Sequence, residues 1–489
     1  DSRTSGLSPT MKLIAVDLGA ESGRVILGTF AEGRLTLEEL HRFPTPSVKV
    51  GATLRWDVPA IQAGIATGVR LAAARGPIAS IAVDTWGVDY GLIDAQGELV
   101  ELPYCYRDAR TEGVPAMLHK RYGEHAFFAR SGLHPLVFNT VFQLAAHVRD
   151  DSAALNRAAA CIPISDVFHQ WLSGKSAWER TQVGTWGLAT PGANAWDEAL
   201  LADLGIPKRL FGQITPTGTV VGTVRDELAQ SWGLSAGTKV VLPGGHDTAS
   251  AVGGMGADPD DAAYLSSGTW SLIGCVATKP VLSEAFRIAD YSNETAVDGR
   301  VRLNKNIMGL WVVQECRRAF VAAGRTASYA ELADRAAQLP RSEVPLDVDD
   351  QRFFASSTMS APMPERIAGW CRERGVPVPA DDVALVRLIF DGLAAAYRTA
   401  LTDLEGVAGR RFSRLNIVGG GSNNRLLNQL TADAIGREVV AGPGEATALG
   451  NLLVQARAVG LVKGANDARA VLGRSVELAT FQPTAAAGL

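Results

Sequence analysis

Residues 12–18 read KLIAVDL, an apolar run closed by an acid, and predict a buried strand. The stretches 24–30 and 34–43 flank a turn signal at Glu32-Gly33 and continue that strand as an antiparallel sheet. Asp57, Val58 and Pro59 open a helix, with Ile61, Ile65, Val69 and Ala72 recurring down one face. Residues 78–84 are then a second short buried strand. The resulting order, β-β-β-α-β, is not that of a doubly wound dinucleotide fold, which opens β-α-β.

From 111 to 209 the pattern turns polar, helix-rich and glycine-broken, which predicts insertions covering one side of a first domain. Residues 215–222 approach a domain junction, and the apolar run 239–242 is expected to begin a second half. That half repeats the opening logic, because AYLSSGTWSL (263–272) resembles the strand–turn–strand of LIAVDLGAESGR (13–24). A strand over 300–304, helices over 306–323 and 386–404, and a strand over 415–418 follow. A glycine run then leads into a helix over 424–435, with Leu427, Leu430 and Ala434 on one face. With 489 residues, two domains are expected, 11–244 and 245–489. Residues 1–10 read as an expression-vector remnant before Met11, and the alanine-rich tail as frayed.

Composition narrows the class without choosing a function. At 47% hydrophobic and 20% charged, the chain matches ordinary globular proteins. A formal charge of −4 supplies no general attraction to nucleic acid or anionic membrane, so neither is an expected partner. No apolar run approaches the ~20 residues of a membrane span. The five cysteines, Cys105, Cys161, Cys275, Cys316 and Cys371, lack zinc spacing and read as buried thiols of a cytoplasmic protein. His41, His119, His125, His134, His147 and His169 also lack metal spacing and read as core or surface residues.

Four stretches can carry chemistry. In Asp17-Leu18-Gly19-Ala20-Glu21-Ser22-Gly23-Arg24 the glycines let backbone N–H groups approach an anion, and Ser22 and Arg24 add donors. Asp17, at a strand end, could hold Mg²⁺ through water, and a plain hairpin with a surface arginine is the alternative. The G-x-x-x-x-G-K-[ST] loop is absent. In Pro243-Gly244-Gly245-His246-Asp247-Thr248, Asp247 either accepts a proton from an attacking alcohol or caps a helix over 248–252. The runs Ser266-Ser267-Gly268-Thr269 and Gly419-Gly420-Gly421-Ser422-Asn423-Asn424 clear side chains where a base or ribose approaches backbone, with capping at Asn423 or Asn424 as the simpler role. In Asp84-Thr85-Trp86-Gly87-Val88-Asp89, Trp86 is either a sugar-stacking wall or core. Two opposed phosphate hairpins suggest facing half-molecules and a nucleotide-handling enzyme.

In that order VDLGAESGR, DTWGVD, GGHDTASA, LSSGTWSL, NIMGLW and IVGGGSNN resemble the FGGY carbohydrate kinases of the actin-like ATPase superfamily, nearly end to end. The resemblance implies an α/β protein of two ribonuclease-H-like domains with an interdomain cleft. It implies transfer of the γ-phosphate of MgATP to the terminal hydroxyl of a ketose, with a 6-deoxyketohexose favoured. Asp247 matches the catalytic base, and Gly87, His246, Asp247, Thr248 and Asn306 match sugar contacts. Ala20, Glu21, Ser22, Gly23, Arg24, Thr269, Gln314 and Gly420 match ATP contacts, and Asp17 the acid near the metal. The N-terminal domain is thereby expected to bind sugar and offer the first phosphate loop, and the C-terminal domain to supply base and nucleotide site. Glu21 stands where relatives carry a small polar residue, so its side chain is expected to point away or reach the metal shell. Residues 185–187 also depart from the family pattern.

Overall fold

The structure is a computed structural model that describes residues 10–256, 258–354 and 361–484. Most of the stretch read as a vector remnant, residues 1–9, lies outside the described residues. Two compact units form: Asp1–Gly256 with Ala277–Leu303 and Ala446–Glu477, and Ala257–Val276 with Asn304–Glu445 and Leu478–Leu489. Each carries a mixed sheet.

In the first unit the sheet order is Arg34–Pro44, Ser22–Ala31, Met11–Leu18, Ile78–Thr85, Lys239–Val241, Val220–Thr223. The three opening strands form the expected antiparallel meander. Helix Val58–Ala73 starts where expected, the Asp57 carboxylate accepting from the Ala60 N–H. It buries Ile61, Ile65, Val69 and Ala72 against Ile14, Val16, Val25 and Val83. Helix Ala446–Ala458 covers the other face, Leu449, Leu452, Leu453 and Ala456 meeting Leu13, Ala15 and Ile26. Nothing local in the sequence announces this return of a late segment to the first strands. The middle of the chain, read as polar cover, holds its own apolar core around Phe142, Leu144, Trp186, Leu188 and Leu201.

One boundary needs correction. Lys239–Val241, expected to begin the second half, lies in the first sheet, parallel to Ile78–Thr85 through Lys239↔Ser80 and Val240↔Ile81. That pairing keeps Asp247 in the first unit, whereas the division at 244/245 put it in the second. The chain first leaves this unit after Gly256.

The second sheet orders Ser292–Thr295, Val301–Met308, Trp270–Ala277, Ala262–Ser267, Arg414–Val418, Glu438–Ala441 and Ala479–Phe481. The helix expected over 306–323 is Trp311–Ala322, and Asn306 sits on the preceding strand. Backbone bonds from the N–H groups of Leu310 and Trp311 to the carbonyls of Gly268 and Thr269 tie the helix start to the neighbouring hairpin. The helix expected over 386–404 extends to Asp382–Ala408, and that over 424–435 is Arg425–Ile435 with Asn424 as its cap. All five cysteines are buried and free. No described helix is long and apolar enough to cross a membrane.

Candidate active site

Asp17 and Asp84 end adjacent parallel strands at the same register level. Both are buried. Asp17 pairs with Arg24 across the hairpin, and Asp84 accepts from Asn451 Nδ2 at 2.6 Å. Burial pushes both carboxyls above the usual range; Arg24 partly offsets this at Asp17, and the Asp17 charge pushes Asp84 up further. The other Asp84 oxygen, Oδ1, has no hydrogen-bond donor. Asp247 is close enough for its charge to raise both. Clustered carboxylates with an orphaned buried oxygen fit a small divalent cation, which prefers oxygen ligands. The sequence motif points to Asp17 alone; the shared VD ending of the two strands is the signal that could have added Asp84.

Asp247 opens helix Asp247–Gly253, and His246, not Asp247, occupies the cap position. The Asp247 carboxylate accepts from the Thr248 N–H at 2.5 Å and the Thr248 hydroxyl at 3.1 Å, and lies 2.9 Å from His246 Nδ1. Burial opposes its ionisation, yet His246 and Thr248 prevail and hold the carboxyl below its ordinary range. It is therefore an anion at neutral pH, able to receive a proton.

Gly87 lies against this group: a β-carbon there would stand 3.3 Å from the Thr185 side chain and 3.5 Å from the His246 ring. The next residue, Val88, holds φ = +69°, a strained conformation for a β-branched side chain. Its N–H donates to Thr185 Oγ1 at 3.1 Å, and its carbonyl accepts from Thr140 and Gln143. Thr185, which no sequence motif places, thus fixes the turn that brings Gly87 to His246. Trp86 is core, packed on Trp56 with ring centroids 4.1 Å apart and donating to Asp89 at 3.0 Å.

Beneath the His246 loop lies Glu179, fully buried and absent from every sequence motif. Its Oε2 accepts from Thr181 N–H and Oγ1, Gln182 N–H and Gly245 N–H at 2.5–3.1 Å. Oε1 accepts from Thr217 Oγ1. Thr181 Oγ1 in turn accepts from the His246 N–H at 3.1 Å. Behind it, Asp166 accepts from the Glu179 N–H at 2.7 Å and from His169 Nδ1, whose Nε2 accepts from the Val83 N–H at 3.0 Å. Burial pushes Glu179 up to about 7, with the donors offsetting part of the rise. A carboxyl raised on folding stabilises fully below its unfolded value near 4.5 and loses that contribution as pH climbs through about 7. Glu179→Gln lacks this titration. Its stability relative to wild type is expected to rise between those pH values, by on the order of 1.4 kcal/mol for each pH step crossed. Urea unfolding of both proteins across that window checks it, and a constant difference would contradict it.

In the first hairpin, Ala20, Glu21, Ser22, Gly23 and Arg24 span the turn and the start of the second strand, closed by the Gly19 N–H to the Ser22 carbonyl at 3.0 Å. The Glu21 side chain is 89% exposed, with Arg107 4.0 Å away. In the second unit, Thr269 is the exposed tip of a hairpin, and Gln314 lies in the first turn of the helix anchored on it. The glycine run adjoins the same hairpin: a β-carbon on Gly421 would fall 2.0 Å from Ser267 Oγ, so only glycine fits. Gly420 faces open space. Thr269, Gln314 and Gly420 are therefore grouped, as are Gly87, His246, Asp247 and Thr248 in the first unit. Asn306 is exposed on a strand of the second.

Residues 12–254 and 263–459 match the N-terminal and C-terminal domains of the FGGY family of carbohydrate kinases, and the chain belongs to that family. Its substrates are accordingly a sugar and ATP. The chain is 40% identical over 470 residues to a rhamnulokinase of Bacteroides thetaiotaomicron, covering 96% of this chain and 95% of the relative. It is also 40% identical over 475 residues to one of Klebsiella pneumoniae, covering 96% and 94%. Among solved structures, gluconate kinase from Lactobacillus acidophilus shares the fold at a TM-score of 0.78 and 15% identity, covering 97% and 94% of the two chains. Glycerol kinase from Plasmodium falciparum does so with the same score, identity and coverage.

Proposed function

We propose that this enzyme transfers the γ-phosphate of MgATP to O1 of L-rhamnulose, giving L-rhamnulose 1-phosphate for L-rhamnose catabolism in the cytoplasm. The likeness to rhamnulokinases, at 40% identity over 96% of the chain, carries the choice of sugar. Asp247 carries the choice of chemistry, as an ionised carboxylate at the start of a helix and beside His246.

Asp247 receives the O1 proton. With an acid this strong the proton leaves late, as the loose transition state of phosphoryl transfer allows. Gly87, His246, Thr248 and Asn306 orient the ketose, so positioning supplies much of the rate. Ala20–Arg24, Thr269, Gln314 and Gly420 are the proposed nucleotide contacts. Asp17 and Asp84 are the residues that would hold magnesium, which neutralises phosphate charge when bound.

ADP release over a ketose panel tests the assignment. L-Rhamnulose is expected to give the highest kcat/KM. Preference for L-fuculose or another ketose would replace the sugar, and absence of phosphosugar with every ketose would leave a sugar or nucleotide sensor in place of a kinase.

A further inference from the structure

A second carboxylate stands beside His246. Glu294, on strand Ser292–Thr295, places its Oε2 3.7 Å from His246 Nε2, too far for a hydrogen bond. The same oxygen accepts from an Arg302 Nη2 at 2.6 Å. Arg302 is completely buried; its Nε donates to the Thr295 carbonyl at 3.2 Å and its Nη1 has no acceptor. A guanidinium taken wholly out of water is costly unless an anion stands against it, so this cation fixes where the Glu294 carboxylate sits. Among the described residues no protein group donates to Glu294 Oε1, and the side chain keeps 15% of its surface exposed. The result is a carboxylate acceptor beside His246, one oxygen held by Arg302, the other free of protein donors, and the side chain part-exposed.

Beside His246, Asp247 is assigned to the O1 proton, and two further neighbours cannot take that role. Thr185 Oγ1 already donates to the Gln182 carbonyl and accepts from Val88, and Gly87 has no side chain. A carboxylate repels a phosphate and wants a donor, and hydroxyls are the donors a ketose offers.

Resting on the sugar-kinase reading above, we infer that Glu294 accepts a hydrogen bond from a ring or chain hydroxyl of the ketose and sets which epimer is taken, with Arg302 as its positioning residue. A sugar whose hydroxyl points elsewhere leaves this acceptor unpaired, which is a strong basis for rejection.

The test compares wild type with Glu294→Gln by calorimetric titration with L-rhamnulose and with L-fuculose, without ATP, and by steady-state kinetics. Weakening of L-rhamnulose binding on the order of 10–100-fold is expected, with preference between the sugars reduced and KM for ATP within about twofold. Unchanged ketose affinity and preference would overturn the inference, as would an equal rise in KM for ATP. Should Glu294→Gln fold poorly, the double variant E294Q/R302M removes the buried cation with its partner and reads the same constants. Wild-type turnover reports separately on the kinase reading, so the two ideas fail by different measurements.

Discussion

Asp247→Asn is expected to lower kcat by ~10²–10⁴ while ketose and ATP affinities stay near wild type. The amide oxygen can still accept from the N–H and hydroxyl of Thr248, so the helix start keeps its local bonds. What disappears is the anion that His246 and Thr248 hold below the ordinary carboxyl range, and with it the acceptor for the sugar proton. Single-turnover phosphosugar formation, measured beside calorimetric binding of each substrate, separates lost chemistry from lost binding. Near-normal turnover would remove Asp247 from the role of base.

The largest structural effect is expected at Gly450→Ala. Helix Ala446–Ala458 crosses helix Asp247–Gly253 so closely that a β-carbon on Gly450 would fall 1.8 Å from the Ser250 carbonyl oxygen. Gly254 is held as tightly, its β-carbon position lying 2.1 Å from the Ala446 carbonyl oxygen. Both obstacles are backbone, so no rotamer change relieves them and the helices must part. Overpacking usually costs about 1–3 kcal/mol, and this contact belongs at or above the top of that range. Activity falls with stability, because one helix begins with Asp247 and the other supplies Asn451 to Asp84 and Gln455 to the Ile14 carbonyl. Urea midpoints and kcat are the measurements; a variant matching wild type in both would contradict this packing.

The opening strands and the helix after Asp57 are legible in the sequence because each is specified locally, by an apolar run, a turn pair or a cap. The glycine turns at Gly87, Gly245 and Gly421 are legible for the same reason, since a turn packed this closely writes glycine into the chain. Pairing between distant segments is not. Lys239–Val241 is three residues long and reads the same at the end of one sheet as at the start of another. Asn306 reads as helical because the apolar pattern after it has helical spacing; the alternation of Val301, Leu303 and Ile307 marks the strand that runs through it. Glu179 and Glu294 carry no motif. Their meaning comes from what surrounds them in three dimensions, five donors around one and a buried guanidinium behind the other.

The late return of helix Ala446–Ala458 bears on synthesis. Leu13, Ala15, Ile26 and Leu35 are made first, yet Leu449, Leu452 and Leu453, which shield them, are translated more than four hundred residues later. A nascent chain must therefore carry an oily, half-covered sheet until its closing segment leaves the ribosome, and a premature stop before residue 446 would leave that face bare and prone to clumping.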